Sequence, residues 1–167
     1  MEVSGNTVFI GGSFRAIGGQ SRVSMAAVDA VTGAATAWSA NIYSDVENSY
    51  PGLVTDIVVK DSTVYVSGEF TAVLGDIFAG PVVSRFGLAA IDLATAEIEA
   101  WDPAANSSVY ALWVGESEVY VGGMFTEIGG QPRLGIAAID RSTALATPWN
   151  PGEEGVVNSL FVSGSTV

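Results

Sequence analysis

The chain has 167 residues, and its 18 carboxylates against 6 basic side chains give a net charge of −12. That length suits one domain, and the negative surface argues against phosphate-backbone partners such as nucleic acid. The chain contains no Cys and no His, which removes disulfides, thiol chemistry, the commonest general base and the commonest transition-metal ligand.

The first residues, MEVSGNTVFI, carry no basic region followed by a long apolar stretch, so they do not read as a signal peptide. They read as the end of one strand, a tight turn and the start of another. A Gly at 12 and Phe14 follow, then Arg22, then a short apolar strand ending in Asp: Ala26-Ala27-Val28-Asp29. An Asp-x-x-Thr turn leads to a further strand that ends at Trp38.

An insertion spans Asn41 to Gly52, with Tyr43, Asp45, Glu47 and Tyr50. The spacing of Asp45, Glu47 and Ser49 loosely matches the start of a calcium loop. Tyr50 holds the place where such a loop needs Gly, so the expectation is a solvated loop closed by the Pro51-Gly52 turn and no metal.

An apolar strand then runs from Val54 to Val59, followed by a strand from Thr63 to Phe70. Asp56 stands where the other copies of this strand have Ala111 and Ser159, and it is expected to face a central channel. A second insertion, Leu74 to Arg85, carries Leu74, Ile77, Phe78, Pro81, Val82 and Val83. So many apolar residues in a connection imply burial against a neighbour or an interaction patch. Ala89 to Asp92 repeats the Asp-ended strand, and the next segment ends at Trp101. Glu97 and Glu99 sit two apart in that segment. The spacing can resemble a glycosidase pair, but charges on an edge strand are better explained as protection against edge pairing.

Val109 to Val114, Val119 onward, Ala137 to Asp140 and Trp149 repeat the pattern once more, and Val157 to Val162 begins it again. Each Asp precedes its Trp by the same nine positions. Four short strands in a period of about 48 residues have the size of a propeller blade. The expected fold is therefore all-β: a single partial β-propeller domain over 1–167 of about three four-stranded antiparallel blades. The blades fall at 1–53, 54–108 and 109–156, with a further blade starting at 157–167. Propellers need about four to eight blades to close, so the segment reads as part of a larger ring or as a half that closes with a second copy.

Some residue types hold fixed repeat positions. Gly12, Gly68 and Gly123 share one, suited to positive φ or a close backbone approach. No helix or Lys stands behind them as a phosphate loop requires. Arg22, Arg85 and Arg133 share another and are expected to tether a connection to a carboxylate or to loop carbonyls, in preference to a ring of Arg gripping an anion. Asp29, Asp92 and Asp140 are expected to accept backbone N–H bonds in their turns. Trp38, Trp101 and Trp149 are expected to pack between blades, in preference to a stacking platform for sugars.

The pattern VYVGG-x-F-T-x-x-G-G-x-x-R, then A-A-I-D, W-x-P and V-x-x-L-x-V resembles the delta-60 repeat family of β-propeller proteins, with kelch-like touches in the double Gly and the late Trp. The resemblance implies a blade fold within large bacterial secreted or surface proteins, and it brings no catalytic residues and no cofactor. Function on such scaffolds lies where copies differ, in loops and insertions. Ile77, Phe78, Val82, Val83, Tyr43, Tyr50 and Asp56 are the candidate partner contacts. The expected role is a non-catalytic binding or scaffold module that meets a protein or a glycan, joined by further blades or a second copy. The alternative is the propeller domain of an extracellular hydrolase or lyase, a role for which this sequence offers no acid–base pair. No apolar run approaches the ~18 residues of a membrane span.

Overall fold

The computed structural model describes residues 1–75, 81–152, 155–164 and 166–167. Among them it forms β-strands and no helix. The chain opens with β1 (Glu2–Ser4), β2 (Thr7–Gly11), β3 (Ala16–Ile17), β4 (Gln20–Ser21) and β5 (Met25–Asp29). It continues with β6 (Asn41–Asp45), β7 (Tyr50–Pro51), β8 (Leu53–Lys60), β9 (Thr63–Glu69), β10 (Ala72–Leu74), β11 (Val82–Ser84) and β12 (Leu88–Asp92). The last strands are β13 (Val109–Val114), β14 (Glu118–Gly123), β15 (Glu127–Ile128), β16 (Gln131–Pro132) and β17 (Ile136–Asp140).

Three antiparallel meanders share one order. The first is β1-β2-β5, the second β8-β9-β12 and the third β13-β14-β17. Their central strands are rich in β-branched and aromatic residues, which suit a pleated surface covered on both faces. Phe9, Met25 and Ala27 of the first meander pack on Ile57, Val64, Val66 and Ile91 of the second. Tyr65, Leu88 and Ala90 of the second pack on Leu112, Val119, Val121 and Ile139 of the third. Each meander thus buries one face on its neighbour.

The expected fourth strand of each unit is reduced to one bridge: Val28 with Ala35, Ile91 with Ile98, and Ile139 with Ala146. Side chains end the ladder there. Arg22 Nη2 donates to Thr36 O at 2.8 Å, and Arg133 Nη2 donates to Thr147 O at 2.7 Å. The Thr36 and Thr147 hydroxyls accept from Trp38 N and Trp149 N. With carbonyl and amide so occupied, the segment turns away from its neighbour. Residues 157–162, expected as a strand, form none. Val157 N donates to Gly123 O at 3.1 Å, as Val54 N donates to Gly12 O at 3.0 Å.

The two insertions pair with each other in a four-stranded sheet, β11-β10-β6-β7. Ala72, Val73 and Leu74 face Tyr43, Ile42 and Asn41. The first insertion is therefore a paired hairpin, where the sequence suggested a solvated loop. Asn41 fixes it. Fully buried, it accepts from Val23 N at 2.8 Å and donates to Gly75 O at 2.9 Å. One side chain thus ties the first meander to both insertions.

Candidate functional site

The residues that recur in every unit are committed to holding the scaffold. Arg22, Arg85 and Arg133 each donate Nη1 to the preceding carbonyl at 2.8 Å and Nη2 to a carbonyl fourteen positions on. Among the described residues only Arg85 also meets a carboxylate, Asp102 at 3.3 Å. Asp29, Asp92 and Asp140 each receive two backbone amides and a Thr hydroxyl on a single oxygen. Those bonds hold all three carboxyls below the usual range. Asp140, which also accepts from Ser142 Oγ, is lowered to about 2.

Trp38 and Trp101 join successive meanders. Trp38 stacks edge-on against Phe9 and donates Nε1 to Asp92 O of the second meander at 3.2 Å. Trp101 does the same with Tyr65 and with Asp140 O of the third, at 3.3 Å. Trp149 stacks on Tyr120 in the same way, and among the described residues its Nε1 meets no acceptor. The three Gly positions differ. A Cβ at Gly68 would collide with Leu53 O and one at Gly123 with Ser108 O, whereas Gly12 has room. Close approach, and not positive φ, explains the first two.

What remains for ligands is the surface where the units differ. An open groove lies between the insertion sheet and the second and third meanders. Its walls carry Leu53, Glu69, Phe86 and the hydroxyls of Ser44, Thr71, Ser107 and Ser108. Phe86 is 50% exposed, while Val23 at the same place in the first unit is buried beneath β6. Both flanks of Phe86 are pinned, by the Arg85 bonds and by Gly68 N donating to Gly87 O at 3.0 Å. On the opposite wall, Thr71 donates its amide to Tyr43 O and its hydroxyl to Ser44 O, both at 2.9 Å. A pinned ring, several hydroxyls and one carboxylate with no basic side chain in the lining suit a neutral or cationic ligand.

The expected contact residues divide. Tyr43, Tyr50, Val82 and Val83 lie on the insertion sheet. Tyr50 and Val82 are exposed, and Val83 and Tyr43 are half-buried. Burial raises the Tyr43 phenol, with Arg15 opposing it. Ile77 and Phe78 lie outside the described residues. Asp56 sits apart, at a bulge in β8. Its carboxylate accepts from Ile57 N at 2.9 Å and from Leu112 N of the third meander at 3.1 Å. It links β8 to β13 and is occupied by that bond.

The Asp45 carboxylate is held by Asn48, from both the side-chain and the backbone nitrogen, and is lowered by those bonds, the side chain first. Among the described residues no group of three or more acidic, His or Cys side chains converges. Glu99 accepts from Thr63 Oγ1 at 2.8 Å, while Glu97 is exposed. Phe86, Leu53 and Asn41 escaped sequence reasoning. The only signal for Phe86 was a large aromatic after the repeated Arg, where the other units carry Val23 and Leu134.

No helix among the described residues is long and apolar enough to cross a membrane. The chain matches no family model, no curated protein and no solved structure.

Proposed function

We propose that the chain is a β-propeller segment of the delta-60 repeat type, and that it serves as a non-catalytic scaffold presenting its insertion sheet to a protein or glycan. One observation carries the reading. The same stitch, an aromatic-stacked Trp donating to the Asp carbonyl of the next meander, occurs twice in register. Side-by-side meanders joined in this way are the construction principle of propeller blades. The repeated Arg, Asp and Trp residues all serve that frame, so binding falls to the groove beside Phe86 and to the outer strands with Tyr50 and Val82. In the bacterial surface or secreted setting that the resemblance implies, the acidic surface keeps such a module soluble.

The test is titration of the chain with a panel of neutral oligosaccharides by calorimetry, with Phe86→Ser and Leu53→Ser as controls. Saturable binding that both variants abolish, with unchanged melting, supports the groove. Binding that survives both variants moves the site elsewhere. Absence of binding across the panel rejects the glycan and leaves the protein-partner form.

A further inference from the structure

We propose that the groove beside Phe86 takes an arginine side chain of a protein partner, its guanidinium against the Phe86 ring and its charge met by Glu69. The proposal rests on the protein-partner form of the reading above.

Two departures from the repeat meet in this groove. Ser13, Glu69 and Met124 follow the three repeated Gly residues, and Val23, Phe86 and Leu134 follow the three repeated Arg residues. The second unit alone has a carboxylate at the first position and an aromatic ring at the second. Gly87 accepts from Gly68 N at 3.0 Å and donates to Phe70 O at 3.1 Å, one residue to either side of Glu69. That pairing sets the backbone of Phe86 beside that of Glu69, and both side chains line the groove. Both are exposed. None of the three ion pairs among the described residues uses Glu69.

The polar lining is biased toward acceptors. Ser44 Oγ donates to Pro51 O at 3.0 Å, and Thr71 Oγ1 donates to Ser44 O at 2.9 Å. A hydroxyl has one hydrogen to give, so what these two offer the groove is lone pairs. An ionised Glu69 also only accepts. The lining holds no Arg, Lys, Asn, Gln or Trp, which leaves donation to the hydroxyls of Ser13, Ser107 and Ser108. A guanidinium is the reverse: a flat group of five donors with no acceptor, able to stack on an aromatic ring. A sugar hydroxyl gives and takes hydrogen bonds alike and finds few donors here. The groove encloses about 340 Å³, at the small end of ligand sites of about 300–1,000 Å³. That suits one side chain better than an oligosaccharide.

The cations of this chain are placed elsewhere. Arg85, next to Phe86 in sequence, is spent on Ser84 O, Glu99 O and Asp102, and its side chain is only 11% exposed. Arg15 acts on Tyr43 from outside the lining. The net charge of −12 draws a basic partner toward the chain.

The experiment is an NMR titration of the chain with a blocked Gly-Arg-Gly peptide in about 0.15 M salt, which screens diffuse attraction to the acidic surface. A blocked Gly-citrulline-Gly peptide, whose urea group keeps the shape and loses the charge, is the comparison. The expected result is saturable shifts of the Phe86 ring, the Leu53 methyls and the Gly87 amide with the arginine peptide. The citrulline peptide should bind about tenfold more weakly, the worth of one exposed ion pair and one cation–π contact together. Glu69→Gln and Phe86→Leu each remove one of those contacts and should each weaken the arginine peptide about threefold, with melting unchanged. Equal binding of the two peptides at the groove, or indifference to Glu69→Gln, overturns the proposal and leaves the insertion sheet as a docking surface. Shifts confined to Tyr50 and Val82 do the same. No shift with either peptide removes the arginine alone if a neutral oligosaccharide still binds and is lost in Phe86→Ser. Saturable shifts of both peptides away from the groove and the insertion sheet overturn the reading above as well.

Discussion

The indole nitrogen of Trp101 donates to the carbonyl of Asp140 across the boundary between two meanders, at 3.3 Å, with the ring edge-on against Tyr65 at 5.4 Å. Trp101 is also the most buried of the repeated indoles, at 8% exposure. Replacement by Ala should therefore cost about 3–5 kcal/mol. Replacement by Phe, which keeps most of the packing, should cost only about 1–2 kcal/mol through the lost hydrogen bond and the smaller ring. Urea unfolding of the two variants measures both, and equal losses would contradict the bonding role.

Arg133 holds Pro132 O and Thr147 O with two nitrogens at once. A Lys ammonium cannot reproduce that planar fork. Arg133→Lys should lower stability by about 1–2 kcal/mol, one charge-assisted bond's worth. A Lys variant as stable as the parent would show that charge alone suffices.

Asn41 is fully buried and satisfies Val23 N and Gly75 O together. Asn41→Leu leaves both groups unpaired and should cost about 2–6 kcal/mol, at about 1–3 kcal/mol for each group. Hydrogen exchange should quicken first in β6 and β10, the strands that Asn41 helps to join. Unchanged exchange there would show that strand pairing holds the insertion sheet by itself.

Much of this frame was legible in the residues. Valine and isoleucine runs marked the first and central strands of the second and third meanders. The fixed Asp-x-x-Thr spacing marked a turn in which one oxygen takes two amides, and the recurrent Arg and Trp marked tethers and interfaces. Three things were hidden. The last strand of each unit ends because side chains of Arg22 and Thr36 take its backbone groups, which a strand propensity does not register. The insertions pair with each other across the intervening β8 and β9, a long-range choice that local composition cannot express. Asp56 accepts from Leu112 N of the neighbouring meander beside a bulge at Thr55, a long-range bond that the apolar run around it does not signal.

Acid should loosen the frame in a definite window. The Asp29, Asp92 and Asp140 carboxyls are held below their ordinary values by turn hydrogen bonds. A depressed folded value means that their stabilisation is present above the unfolded value of about 4. It fades as pH falls from there toward about 2, where Asp140 takes its proton. Melting temperature should decline across that interval, and Asp140→Asn should flatten the decline. A melting temperature that is level from pH 5 to pH 2 would contradict the assignment.

The stitching of one meander to the next is tested most directly by solvent exchange of the four indole N–H groups, read by NMR on dilute protein. Trp38 and Trp101 donate across meander boundaries, whereas Trp113 and Trp149 meet no acceptor among the described residues. Two slowly exchanging indole signals, assigned by substitution to Trp38 and Trp101, and two fast ones are the expected result. Four signals exchanging at one common rate would contradict an array joined through its tryptophans.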